Sequence, residues 1–338
     1  MDARETTKAL NRRDFLRLTG FGLAGAGVLG VAGCGGGSGS GEQFPSDTIE
    51  MIIAYDAGGS TDVSIRELAQ LGEDTCGTNI IASNQTGSAG AVGFTATANA
   101  EPDGYTVGGT ATELAYLQEL GTSEVGPDDL RGVMRYALNP HVFFVPTDSP
   151  YENLQDLLEA AEGGETINVA TSGTGSVYHL AFAGMALEAG LLDQFTNIPF
   201  DGGAPAVQAA ISGQADMVVV VYNEARSQVD ADRLRPIAVA DEERLDVIPD
   251  TPTLREEGID WTSASHLGLA VPADTPDDRV QTLNECLREA LETDEFQEAM
   301  REQELNIAYL GPEEFDEYLR EIAEKYTRVV QEAGITAG

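Results

Sequence analysis

Two short runs of glycine and hydroxyl residues are the parts of this sequence best suited to holding a ligand. The first is Ala57-Gly58-Gly59-Ser60-Thr61, which follows the apolar run Ile49, Met51, Ile52, Ile53 and precedes a helix-like segment from Asp62. The second is Ser172-Gly173-Thr174-Gly175-Ser176, which follows Val169-Ala170-Thr171. Neither run contains a cation. A helix N-terminus presents unpaired backbone N–H groups and about half a positive charge, so it binds a small anion without a basic side chain. Glycines let the backbone approach the ligand and hydroxyls add donors, which is chemistry suited to a carboxylate. One such loop alone is ordinary turn chemistry between a strand and a helix. Two of them, one in each half of the chain, favour binding.

Catalytic templates are missing. A P-loop needs Gly-Lys-Ser/Thr, and the single lysine beyond residue 8 is Lys325, far from any glycine loop. His141, His179 and His266 are the only histidines; none has metal-helix spacing, and each reads as a structural histidine. No Gly-x-Ser-x-Gly elbow offers a nucleophile. Acidic residues are so abundant that pairing two of them on paper means nothing. The run from Gly173 to Tyr178 opens like a dinucleotide fingerprint but has tyrosine where the third glycine is needed. These absences predict a protein without catalysis, metal or cofactor.

The loops need strands and helices to position them. Strand-like runs at 49–54, 79–83, 106–109, 141–145, 167–171, 217–221, 234–240 and 268–271 alternate with helix-like runs at 62–72, 92–100, 154–162, 178–189 and 204–211. That alternation predicts α/β units built on parallel strands. The last 60 or so residues read as two helices, opened by Pro276-Asp277-Asp278 and by Gly311-Pro312-Glu313-Glu314, with proline and acids in the first turn. Phe315, Leu319, Ile322, Tyr326 and Val330 form one apolar stripe on the second, a packing face. Asp62 and Arg66, four apart on the first helix, are expected to pair with each other, leaving Arg66 unavailable to a ligand.

A chain of 338 residues suits two domains better than one. The first 33 residues read as a twin-arginine signal peptide: Arg12-Arg13-Asp14-Phe15-Leu16 precedes a Gly- and Ala-rich stretch from Leu18 to Ala32. That stretch is too short and too glycine-rich to span a bilayer. Val31-Ala32-Gly33-Cys34 resembles the lipobox of bacterial and archaeal lipoproteins, and the Gly/Ser-rich run after Cys34 reads as a flexible tether extending to about residue 46. The expected location is the outer face of the cell membrane, anchored through a lipid on Cys34. The formal net charge is −38, with almost no lysine, a surface typical of an extreme halophile, and it excludes nucleic acid and anionic membranes as electrostatic partners. Cys76 and Cys286 are left as either a disulfide or two free thiols.

The order of motifs along the chain resembles the tripartite tricarboxylate transporter receptor family, the Bug- or TctC-type extracytoplasmic solute-binding proteins, in a haloarchaeal-like lipoprotein form. The resemblance is carried by Ala57-Gly-Gly-Ser-Thr-Asp62 with Arg66, Asn84-Gln-Thr-Gly-Ser-Ala-Gly-Ala-Val-Gly93, Pro102-Asp-Gly-Tyr-Thr106, Thr171-Ser-Gly-Thr-Gly-Ser176 and Ile198-Pro-Phe-Asp-Gly-Gly-Ala-Pro205. It continues through Ser212-Gly-Gln-Ala-Asp216, Arg235-Pro-Ile-Ala-Val239, Pro252-Thr-Leu-Arg-Glu-Glu-Gly258 and Gly268-Leu-Ala-Val-Pro272. It implies an α/β, periplasmic-binding-protein type II fold: two α/β lobes with a ligand cleft between them. Lobe 1 is then 47–143 plus 263–338 and lobe 2 is 144–262, with hinges near 139–145 and 261–269.

The same resemblance implies a receptor that captures a small mono-, di- or tricarboxylate and delivers it, as a monomer, to the membrane permease subunits of a tripartite transporter. A sensor subunit signalling to a membrane partner is the alternative. The implied ligand-gripping residues are 57–61 and 172–176, with Asn84 and Phe200 lining the cleft. Two departures stand out. Tyr55-Asp56-Ala57 replaces the family's usual apolar residue and proline, and Asp201 stands where relatives often have a base; facing the cleft, Asp201 would repel a second carboxylate and instead recruit an amino group or a hydroxyl. At multimolar salt the Debye length shrinks to about 3 Å or less, so the acidic surface does not oppose anion capture by a helix terminus.

Overall fold

The computed structural model describes residues 44–336. The twin-arginine segment, Cys34 and most of the expected tether lie outside them. Phe44 to Ser46, assigned to the tether from sequence, already contact the folded body. The Phe44 ring meets Tyr105 edge-on at 5.1 Å, and the Ser46 N–H donates to the Tyr105 hydroxyl at 3.0 Å.

The first three strands, β1 (Ile49–Ile53), β2 (Ile80–Asn84) and β3 (Thr106–Ala111), pair in parallel with β1 in the middle. Helix α1 (Ser60–Cys76) connects the first two and α2 (Ala91–Ala98) precedes the third. A second parallel set, β5 (Ile167–Thr171), β6 (Phe195–Pro199) and β7 (Met217–Val221), has β5 in the middle and is linked by α4 (Val177–Glu188) and α5 (Gly203–Ile211), with α3 (Leu154–Glu162) before β5 and α6 (Tyr222–Asp230) after β7. The β7 run Met-Val-Val-Val-Val is buried throughout, as expected for a strand covered on both faces.

The two sets are joined by antiparallel strands. Strand β4 (Leu130–Pro146) pairs along its first part with β9 (Ala264–Pro272), and β9 in turn pairs with β3. Along its last part β4 pairs with β7 and with β8 (Leu234–Val239). The sheet is therefore mixed rather than wholly parallel. Only the end of β4 was expected as a strand, because Arg131, Gly132 and Arg135 interrupt its apolar pattern. Arg135 is nonetheless buried: its guanidinium lies 4.7 Å from the centre of the Tyr318 ring and its Nε donates to the Ala308 carbonyl.

The C-terminal region differs from the two expected helices. It holds α7 (Asp277–Leu291), a separate α8 (Asp294–Glu302), the short strand β10 (Ile307–Leu310) against β4, and α9 (Pro312–Glu332). Thr293 divides the first two helices by capping α8, its hydroxyl accepting from the Phe296 N–H at 3.2 Å. The apolar stripe of α9 faces inward, with Phe315, Leu319, Tyr326 and Val330 buried.

Buried apolar residues form two clusters. One gathers around β1, α1 and α7; the other gathers around β5, β7, α4 and α9. Cys76 at the end of α1 is disulfide-bonded to Cys286 of α7, resolving the alternative left open by the sequence.

Candidate functional site

The first glycine loop leaves the C-terminal end of β1 and enters α1. Residues 57–60 are exposed and Thr61 is half-buried. Gly58 has φ +87°, a backbone state that disfavours side chains; Gly59, by contrast, has φ −77°, and a Cβ there would make only an ordinary contact, 3.6 Å from the Asp56 carbonyl oxygen. The conformational demand for glycine therefore falls on Gly58. The loop is braced from behind by Asp62, whose Oδ2 accepts the Gly58 N–H at 2.9 Å. Its Oδ1 accepts from Arg66 Nε at 2.9 Å and Asn84 Nδ2 at 2.7 Å.

Asn84 closes this ring. Its amide also donates to the Tyr55 carbonyl at 3.0 Å, and its Oδ1 accepts from Arg66 at 2.6 Å. Burial by itself would raise the Asp62 pKa. The hydrogen bonds from Gly58 and Asn84 and the Arg66 charge outweigh it and hold the carboxyl below its ordinary value. The expected Asp62–Arg66 pair is thus present, and Asn84 supports the loop through its amide. Helix α1 has no side-chain cap, so the N–H groups of Ser60 and Thr61, at its start, have no helical carbonyl to bond.

The second loop leaves the C-terminal end of β5. Gly173 has φ +139° and Gly175 φ +73°. Thr171 Oγ1 donates to Asn197 Oδ1 at 2.6 Å, the Gly175 N–H donates to His179 Nδ1 at 3.0 Å, and Ser176 caps α4 by accepting from the His179 N–H at 3.3 Å. Burial pushes the His179 pKa down to about 4, which keeps Nδ1 an acceptor at neutral pH. Ser172, Gly173 and Thr174 remain as the loop's outer face. Phe200 and Asp201 lie alongside, because the Phe200 N–H donates to the Thr171 carbonyl at 2.9 Å. Phe200 is half-buried and Asp201 is exposed.

Contacts tie the surroundings of the two loops together. A Cβ on Gly175 would lie 3.0 Å from Leu120, in the segment that follows β3. In that same segment Glu113 accepts from the Tyr55 hydroxyl at 3.1 Å, and Tyr55 leads into the first loop. Tyr178, just after the second loop, donates to Glu224 at 2.5 Å. Glu113, Glu224 and their tyrosines were missed from sequence because one acid among many carries no signal. The replacement at Tyr55 and the tyrosine at 178 were visible as departures from known patterns, but not their partners. Two surface recesses, of about 470 and 460 Å³, lie beside Trp261 and Lys325 and beside Cys76 and Cys286; no residue of either loop lines them.

A family model described as the tripartite tricarboxylate transporter family receptor matches residues 65–335. The chain belongs to this receptor family. A UPF0065 protein from the gbd 5' region of Cupriavidus necator is 27% identical over 330 residues, covering 96% of this chain and 99% of the relative. The crystal structure of a TctC solute-binding protein from Polaromonas is 30% identical, with a TM-score of 0.79, covering 86% of this chain and 99% of that one. MatC from Rhodopseudomonas palustris, solved with bound malate, superposes with a TM-score of 0.68 at 24% identity over 85% of this chain and the whole of that one, a likeness of fold. The receptor thus has the periplasmic-binding-protein architecture expected from its motifs, and its family binds solutes outside the cytoplasm and does not catalyse reactions. No helix among the described residues is long and apolar enough to cross a membrane.

Proposed function

We propose that this receptor captures a small carboxylate with residues 57–61 and 172–176 and delivers it to the membrane permease of a tripartite transporter. The observation that carries this reading is the pair of loops themselves. Each stands at the C-terminal end of a parallel strand, opens a helix, and is braced by its own polar network, so that N–H groups are set for an anion before it arrives. The malate bound to MatC is a carboxylate of the class this reading predicts.

Residues 47–143 with 263–338 form one lobe and 144–262 the other, each supplying one loop. Closure bends the strands near 139–145 and 261–269. A lipid on Cys34 holds the monomeric receptor at the membrane, and its acidic, lysine-poor surface suits concentrated salt.

The test is a thermal-shift screen of the purified protein in high salt against mono-, di- and tricarboxylates, sugars and nucleotides. A ligand at 100 times its dissociation constant stabilises by about 2.7 kcal/mol, a shift of a few degrees. Carboxylates are expected to raise the melting temperature, with the shift lost in Gly58→Val and Gly173→Val. Shifts with sugars or nucleotides alone contradict the proposal.

A further inference from the structure

Glu113 and Glu224 flank the two loops, and each is bonded to a tyrosine rather than to a base. Glu113 accepts from Tyr55 and Glu224 from Tyr178, and among the described residues neither forms an ion pair with an arginine or lysine. Arg66, the base closest in sequence to the first loop, is held by Asp62 and Asn84. Glu224 lies over Gly203, where any side chain would collide with its carboxylate; Gly203 follows Phe200 and Asp201 and opens α5. Glu224 is exposed, while Glu113 is half-buried. Both carboxyls have pKa values raised by loss of water around them, which the tyrosine hydroxyls offset only in part. The segment that carries Glu113 also reaches the second loop, where a Cβ on Gly175 would lie 3.0 Å from its Leu120, so both acids stand beside the same pair of loops.

Glu113, half-buried with one neutral donor, lacks the counter-charge that a carboxylate withdrawn from water requires, and Glu224, though exposed, likewise has only a neutral hydroxyl as its donor. They would repel the second acid group of a plain dicarboxylate, and an ammonium would supply both missing hydrogen-bond donors and missing charge. Resting on the carboxylate-capture reading, we infer that the solute is zwitterionic: its carboxylate meets the two glycine loops and its protonated amino group is read by Glu113 and Glu224. The ligand class is then amino acids, amino-dicarboxylates included, in preference to simple di- and tricarboxylates.

The experiment is calorimetry on the purified protein with matched acids that differ in one substituent: aspartate, malate and succinate; glutamate, 2-hydroxyglutarate and glutarate; alanine, lactate and propionate. In at least one set the amino acid binds tenfold or more tighter than its unsubstituted analogue, and Glu224→Gln or Glu113→Gln shrinks that ratio toward one. A tenfold ratio corresponds to about 1.4 kcal/mol. The wild-type ratio decides the matter even where a variant folds poorly. Unsubstituted acids that bind as tightly as their amino counterparts in every set overturn this inference and leave carboxylate capture standing. Binding by none of the nine overturns this inference, and carboxylate capture is then decided by the thermal-shift screen, tricarboxylates included.

Discussion

Asp62 serves three donors at once, the Gly58 N–H, Arg66 and Asn84, and thereby braces the first loop. Asp62→Ala removes an acceptor from a buried site and leaves the Asn84 amide short of a partner. The expected cost is about 2 kcal/mol of stability and at least a tenfold loss of carboxylate affinity, read by thermal melting and calorimetry. Asp62→Asn, which retains one acceptor oxygen, should lose less of both. The i, i+4 spacing made the Asp62–Arg66 pair legible in the sequence, since helix geometry alone brings those side chains together. The part played by Asn84 was not legible, because it depends on the pairing of β2 with β1, a contact between distant residues.

At the scale of elements, α4 carries the second loop, and its placement depends on a small residue. A side chain at Gly184 would collide with the Trp261 ring, which also meets Tyr326 of α9 edge-on at 6.3 Å. Gly184→Val is expected to push α4 away from Trp261 and cost about 1–3 kcal/mol. Because Trp261 is the only tryptophan in the chain, the emission maximum reports the change directly, moving to the red as the ring gains water. An unchanged spectrum and melting temperature would contradict this account of the packing. Strand-to-helix alternation was readable because buried parallel strands are short and continuously apolar. The length of β4 and the existence of β10 were not: β4 tolerates Arg135 only because Tyr318 and the Ala308 carbonyl receive it, and β10 is defined by its partner β4.

For the whole molecule, pH and ligand capture are the informative variables. His141 is fully buried between the Ser263 and Ser265 hydroxyls, at 2.8 and 3.0 Å, where β4 meets β9. His266, also fully buried, interacts with Thr112 at 3.2 Å. Burial lowers both pKa values to about 3, and that of His179 to about 4. A histidine held neutral in the fold contributes stability that is present above its unfolded pKa, near 6.5, and is lost as pH falls through the folded value. The raised pKa values of Glu113 and Glu224 work in the opposite sense, their contribution growing as pH falls. The histidines are therefore expected to drive unfolding between about pH 6.5 and 3, with His266→Asn shifting the acid midpoint downward; an acid transition unmoved by that substitution would contradict the assignment. The motif order along the chain was enough to show the family, because it recurs over nearly the full length. The acids beside the loops were hidden among 57 acidic residues until the fold singled them out. The claim that most needs testing is that backbone N–H groups in both loops hold one carboxylate. Amide chemical shifts of isotope-labelled protein, titrated with the carboxylate that gives the largest thermal shift, test it directly. Downfield movement of the Ser60, Thr61, Gly173 and Thr174 amides with one common dissociation constant is the predicted result, and silence at these positions while amides near Lys325 or Cys76 move would contradict it.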